Sequence, residues 1–204
     1  MKAYRVYLFL EGAGALIFSM IFVASSLYQV STANLTALQL VLVGTVLEVS
    51  IFLFEVPTGV VADVYSRRLS VIVGVVLIGA GFILEGSIPL FATILLAQVV
   101  WGVGYTFTSG ATQAWISDEI GEAAAGQAFL RSNQLGQVGA LLGIGAGMLL
   151  GSISVNLPII VGGVLIVALG AGVGSGWGLG AGCTIVPSTT CPSSSTLAPN
   201  SSGV

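Results

Sequence analysis

The chain has 204 residues, of which 55% are hydrophobic and 6% charged, with five Lys or Arg, eight Asp or Glu, no histidine and a formal net charge of −3. Soluble domains carry roughly 25% charged residues, so too little charge is present to cover a water-soluble globule, and a mean hydropathy of +1.06 points to an integral membrane protein. No basic stripe exists to neutralise phosphates, which excludes a nucleic-acid partner, and no nucleophile set, metal set or Gly-Lys-Ser/Thr phosphate loop appears, so neither an enzyme, nor a metal site, nor a cofactor, nor ATP-driven work is expected.

A membrane-crossing helix needs about 20 mostly apolar residues. Such runs extend from Val6 to Leu27, Leu38 to about Ala62, Leu69 to about Ile83, Leu90 to about Trp115, Ala128 to about Ser152 and Leu157 to about Val173. The first is opened by Lys2 and Arg5 and interrupted only by Glu11; its length, its acid and the second run close behind it favour a retained span over a secretory signal. Glu48 and Glu55 interrupt the second run. Glu85 and Pro89 are expected to mark a tight turn after the third, and Asp118, Glu119 and Glu122 an acidic loop after the fourth. The fifth begins near Arg131, and the short sixth has Pro158 in its first turn, where proline is tolerated. The expected fold class is an all-α membrane protein of six transmembrane helices over residues 1–173.

Beyond the sixth run the composition changes. Every second residue from Gly170 to Gly182 is glycine, and Pro, Ser, Thr and Asn then dominate to Val204. Residues 174–204 are expected to form a disordered tail, or a truncated or out-of-frame end. Cys183 and Cys191 lie there and match no zinc or haem spacing. Lys2, Arg5, Arg67, Arg68 and Arg131 all fall on the side shared by the N-terminus and the second and fourth connections, which predicts cytoplasmic N- and C-termini, in a plasma membrane.

The densest polar stretch of this apolar chain runs from Glu55 to Arg68, where Glu55, Gly59 and Asp63 recur every four residues and share one helix face. Gly59, Ala62, Asp63, Arg67 and Arg68 resemble the signature of the major facilitator superfamily between its second and third helices, with Ser66 at a usual glycine and Val64 at a position that is often basic. The resemblance implies a conformational latch built from Gly59, Asp63, Arg67 and Arg68, with an inner charge cluster of Asp118, Glu119 and Arg131 at the same level. The plainer alternative is that these charges only set topology. Gln98, Trp101, Gly102 and Gly104 resemble the family's fourth-helix motif, with Gln98 where that motif has arginine, and Thr108 to Glu119 resembles the end of helix four in drug-efflux facilitators of the macrolide and tetracycline type.

These likenesses imply a secondary active exporter of small drug-like molecules, with alternating access coupled to protons. Glu48 lies about 15 residues, roughly 22 Å, from Asp63 and so near the bilayer midplane. Glu48, Glu11 and Glu55 have no cationic partner legible in the sequence and are candidates for proton coupling or for the substrate cavity; a protonated Glu48 hydrogen-bonded between helices is the alternative. Gly139, Gly143, Gly147 and Gly151 form a small-residue stripe that serves either close helix packing or an exporter-type hinge, with Ile144 at the hinge's proline position. Facilitators have two halves of six helices, and the chain corresponds to the N-terminal half. The partners expected are the lipid bilayer, a small-molecule substrate, and a second six-helix half or a second copy in a homodimer. A non-transporting remnant or membrane interaction protein is the competing class.

Overall fold

A computed structural model of the chain describes residues 2–64 and 67–176, and the side chains of all of these except residues 2, 3, 63, 68, 119, 123 and 173–176. Among the described residues the chain forms helices and no strand: α1 (Lys2–Ser31), α2 (Ala37–Val64), α3 (Arg67–Ser87), α4 (Phe91–Thr108), α5 (Ala111–Ile120), α6 (Glu122–Gly151) and α7 (Leu157–Gly176). Five stretches have the length and apolar character to cross a membrane, namely Tyr4–Ser31, Ala37–Ala62, Leu69–Ser87, Phe91–Asp118 and Ala124–Gly151, and the apolar helix over Leu157–Gly172 is shorter. The fold is an all-α membrane fold. The tail expected after residue 173 falls largely on 177–204, outside the described residues.

The helices overrun the apolar runs because backbone groups entering and leaving a bilayer need intrahelical partners. Thus Glu85 lies in the last turn of α3 and not in a turn, and Asp118 and Glu119 belong to α5, with Gly121 (φ 82) as the link to α6 in place of the expected acidic loop. The fourth run is broken. Gly110 has φ 68 and ψ −44 and is spanned by a hydrogen bond from the Ala111 N–H to the Ser109 carbonyl (2.6 Å), a γ-turn that L side chains rarely adopt, and it separates α4 from α5. α2 opens with a reciprocal capping box, in which the Thr36 backbone N–H donates to Gln39 Oε1 (2.8 Å) and the Gln39 N–H to Thr36 Oγ1 (3.4 Å). Pro57 removes one backbone donor inside α2, and the neighbouring Thr58 hydroxyl bonds back to the Phe54 carbonyl at 2.7 Å.

α3 lies at the centre, against α4 on one side and α7 on the other, while α1 packs on α6 and α7 and α2 packs mainly on α4. Exchanging α1 with α4, α2 with α6 and α3 with α7 maps this set of neighbours onto itself, so these helices form two three-helix units with the same packing. Because the chain alternates direction from one of these helices to the next, each helix of the second unit runs opposite to its counterpart in the first. Close approaches run through glycine: Gly74 meets Gly104 between α3 and α4, and Gly79 meets Gly163 between α3 and α7. Ile21, Tyr28, Ile78, Phe82, Ile94, Ile159 and Ile166 fill the centre. Outward faces are apolar, with Phe52 and Val56 on α2 and Leu141 and Leu149 on α6 more than 70% exposed, as expected of surfaces that meet lipid or another membrane unit. The end of the bundle where α1, α3 and α6 begin carries Arg5, Arg67 and Arg131 and is called the basic end; the opposite one is the far end.

Candidate functional site

In the basic half, a cleft of about 700 Å3 opens between α1, α3, the α4–α5 break, α6 and α7. Its volume falls in the range of small-molecule sites, roughly 300–1,000 Å3. Its walls combine apolar side chains (Phe18, Val75, Ile78, Ile166) with Glu11, Tyr105, Gln113 and Asn133. Thr108, Ser109, Gly110 and Thr112, on either side of the break, line the cleft. Glu11 is half-buried on α1, one turn from Tyr7, whose hydroxyl lies 3.3 Å from Ser132 Oγ on α6. A carboxylate, phenols, carboxamides and an aromatic floor suit an amphipathic or cationic organic molecule better than an anion.

The other expected residues divide. Arg67 Nη1 donates to Asp118 Oδ2 at 2.5 Å, joining the start of α3 to α5, and Arg131 Nη1 donates to Tyr4 Oη at 3.1 Å, joining α6 to α1. Asp118 and Arg131 thus each make their own described contact, one with the start of α3 and one with α1. The side chains of Asp63, Arg68 and Glu119 lie outside the described residues; of the other residues expected in a latch, Arg67 pairs with Asp118, and Gly59 is exposed, with open space where a Cβ would stand. Glu48 and Glu55 are exposed on α2, seven residues apart on one face, and neither lines the cleft or makes a hydrogen bond among the described residues. Gly139, Gly143 and Gly147 lie against the backbone of Gly12, Leu16 and Met20 of α1, whereas Gly151 has open space beside it.

One polar site was not anticipated. Glu85 is 1% exposed near the far end. Ser25 Oγ donates to its Oε1 at 2.5 Å, Gln29 Nε2 to the same oxygen at 2.8 Å, and Gln98 Nε2 to Oε2 at 3.3 Å. The available signal was the pair Ser25 and Gln29, four apart on one face of an apolar helix, together with Gln98 alone in another. One turn toward the basic end on each of the same three helices stand Phe22, Phe82 and Trp101, with ring centroids 6.4 Å (Phe22–Phe82), 6.0 Å (Phe22–Trp101) and 5.5 Å (Phe82–Trp101) apart. The Trp101 Nε1 is buried without a hydrogen-bond partner among the described residues.

Fold and site together define a polytopic all-α membrane protein with a substrate-sized cleft between its helices. No family model matches the chain. It is 30% identical over 149 residues to a protein of Bacillus subtilis (strain 168) named "Uncharacterized MFS-type transporter YxaM", a match that covers 73% of this chain and 36% of that protein. The matched region spans about a third of the relative's length.

Proposed function

We propose that the chain is a six-helix half of a facilitator-type secondary active exporter of small drug-like molecules, working by alternating access coupled to a cation gradient. The MFS-type relative and the two inverted three-helix units support the family reading, since facilitator halves are built from nested inverted repeats of three helices. The observation that carries the transport reading is the face of α2. Carboxylates facing hydrocarbon are costly and rare, yet Glu48 and Glu55 are both exposed on one side of a membrane-length helix. That side belongs against water or a polar partner. In this reading a second six-helix half covers α2 and α6 and closes an aqueous cavity, with Glu48 and Glu55 in its wall, Glu11 contacting substrate in the cleft, and the termini in the cytoplasm. The Arg67–Asp118 contact and the Gly59, Asp63, Arg67 and Arg68 loop act as the latch, which opens when the two halves rock.

The test is energy-dependent export of a fluorescent drug from cells producing this chain, alone and joined to a complementary six-helix unit. Export is expected only with the second unit, is abolished by Glu48→Gln, and is strongly reduced by Asp63→Asn. Absence of export from the joined protein refutes the exporter reading; unchanged gradient-driven export in the Glu48 variant refutes its coupling role.

A further inference from the structure

The cluster around Glu85 lies apart from the cleft and is not accounted for by substrate binding. We propose that the Glu85 pocket is a second cation site, separate from the coupling role assigned above to Glu48, that takes a proton or a sodium ion from the far end of the bundle; any part it plays in driving export rests on the exporter reading, whereas the binding itself does not.

The first ground is charge. Glu85 is almost wholly enclosed, and the groups that face it are uncharged: Ser25, Gln29 and the Tyr28 phenol from α1, and Gln98 from α4. On the α7 side Gly86 meets Ile159 and Ile160, and α7 contains no ionisable residue. α2 touches α3 little, and its Glu48 and Glu55 are exposed on its surface. Lys2 and the arginines are placed on elements that start or end at the basic end. A buried carboxylate with no facing cation leaves its charge uncompensated, which structures seldom tolerate without a functional reason.

The second ground is the kind of partner. Every described hydrogen bond to Glu85 comes from a hydroxyl or a carboxamide, groups that carry both a donor and an acceptor. As they stand they donate to a carboxylate. Rotation of the hydroxyl and the two amides presents oxygens instead, able to accept from a carboxylic O–H or, with the carboxylate oxygens, to ligate sodium. Arginine, lysine or backbone N–H partners cannot make this exchange. The shell is therefore suited to a site that fills and empties.

The third ground is access. Gln29 is half-buried in the last turn of α1, and Glu85 lies in the last turn of α3, so the pocket lies close to the far end of the bundle. Toward the basic end the aromatic layer of Phe22, Phe82 and Trp101 lies between it and the cleft. The far end is therefore the nearer side for an entering cation, and the aromatic layer stands between the pocket and the substrate region.

The test uses the full 204-residue chain in lipid nanodiscs and difference infrared spectroscopy. In the proton arm the pH is stepped from mildly alkaline to mildly acidic with choline replacing sodium; a protonated-carboxyl band is expected to appear, to be lost in Glu85→Gln, and to persist in Glu11→Gln. In the sodium arm the pH is held alkaline and sodium is added; a shift of the carboxylate band and of Trp101 emission is expected in the native chain and lost in Glu85→Gln. A response in either arm supports the site and names the ion. Gln98→Leu, which deletes one partner while keeping the carboxylate, should displace the midpoint of whichever response is seen. Spectra in both arms unchanged by Glu85→Gln overturn the proposal, even if drug export is intact; failed export alongside an intact titration sinks the exporter reading and leaves the site standing.

Discussion

A methyl group added at Gly139 or Gly143 tests whether the α1–α6 contact holds the bundle together. At Gly139 a Cβ would stand 2.5 Å from the Gly12 carbonyl oxygen, about 0.9 Å inside ordinary van der Waals contact, and at Gly147 it would stand 2.8 Å from the Met20 carbonyl. At Gly143 it would overlap the Leu16 carbonyl outright. These obstacles are backbone, so no side chain can swing away, and the helices must separate. Overpacking of this kind costs about 1–3 kcal/mol. Against it stands the intrinsic gain from replacing glycine in a helix by alanine, roughly 0.5–1 kcal/mol. The net expectation is a loss of about 1–2 kcal/mol for Gly139→Ala and more for Gly143→Ala. Gly145 and Gly151, on the same helix with nothing within 4 Å, supply the control: alanine there should be neutral or stabilising. Denaturant unfolding in detergent, followed by circular dichroism, measures the four variants side by side. Equal midpoints for Gly143→Ala and Gly145→Ala would refute the packing argument.

Breaking the Arg67–Asp118 pair by Asp118→Asn should change stability by less than about 1 kcal/mol, because its side chains are 39% and 64% exposed, and the small effect should shrink further at high salt; a loss of several kcal/mol would show that the pair is more enclosed than its exposure says. Gly110→Ala meets no steric obstacle, so its cost should be the conformational penalty alone, about 1–3 kcal/mol, read by the same unfolding assay; no change would mean that the α4–α5 break does not need φ 68. Thr36→Ala removes the capping side chain of α2 and should cost about 1 kcal/mol, with Thr36→Ser retaining most of it; equal loss in both variants would exclude the cap as the cause.

Hydropathy located the membrane-crossing segments because each is apolar over its whole core, and that signal does not depend on tertiary structure. It did not locate their ends or faces. α2 is apolar nearly all round, so nothing in its periodicity told which side Glu48 and Glu55 occupy. Glu85 looked like part of a turn because Gly86, Ser87 and Pro89 follow it, yet helix α3 continues through Ser87. Its partners stand 60, 56 and 13 positions away, and no local pattern joins them. The Arg131–Tyr4 contact spans 127 positions, so charge alone directed Arg131 toward the acids nearer in sequence. The break at Gly110 was hidden for a different reason: with 29 glycines in the chain, one more carries little information until its φ is known. Small residues facing backbone were legible as a stripe on α6, but their counterpart on α1 was not, since Gly12, Leu16 and Met20 offer carbonyls and not side chains.

α4 connects the two polar regions physically. Its residues Gln98, Trp101 and Tyr105 lie one turn apart in succession: the first bonds Glu85, the second belongs to the aromatic layer, and the third lines the cleft. Trp101 and Tyr105 are in ring contact at 6.4 Å. Gly81 of α3 faces the Trp101 Cβ, where an added methyl would stand at 3.0 Å, so α3 approaches closely enough to seat the indole between Phe22 and Phe82. An α-helix is stiff over such a distance, about 18 Å from Gln98 to Gly110. A rotation of α4 that changes the reach of Gln98 therefore carries Trp101 and the Tyr105 wall with it. The motion can end at Gly110, where the helix is interrupted, while α5 stays joined to α3 through Arg67 and Asp118. Along α1 the same two levels stand about 21 Å apart, from Glu11 to Ser25, with Phe18 and Phe22 between them. The aromatic layer, with one ring from each of α1, α3 and α4, thus stands between the level of Glu85 and the level of the cleft along both α1 and α4.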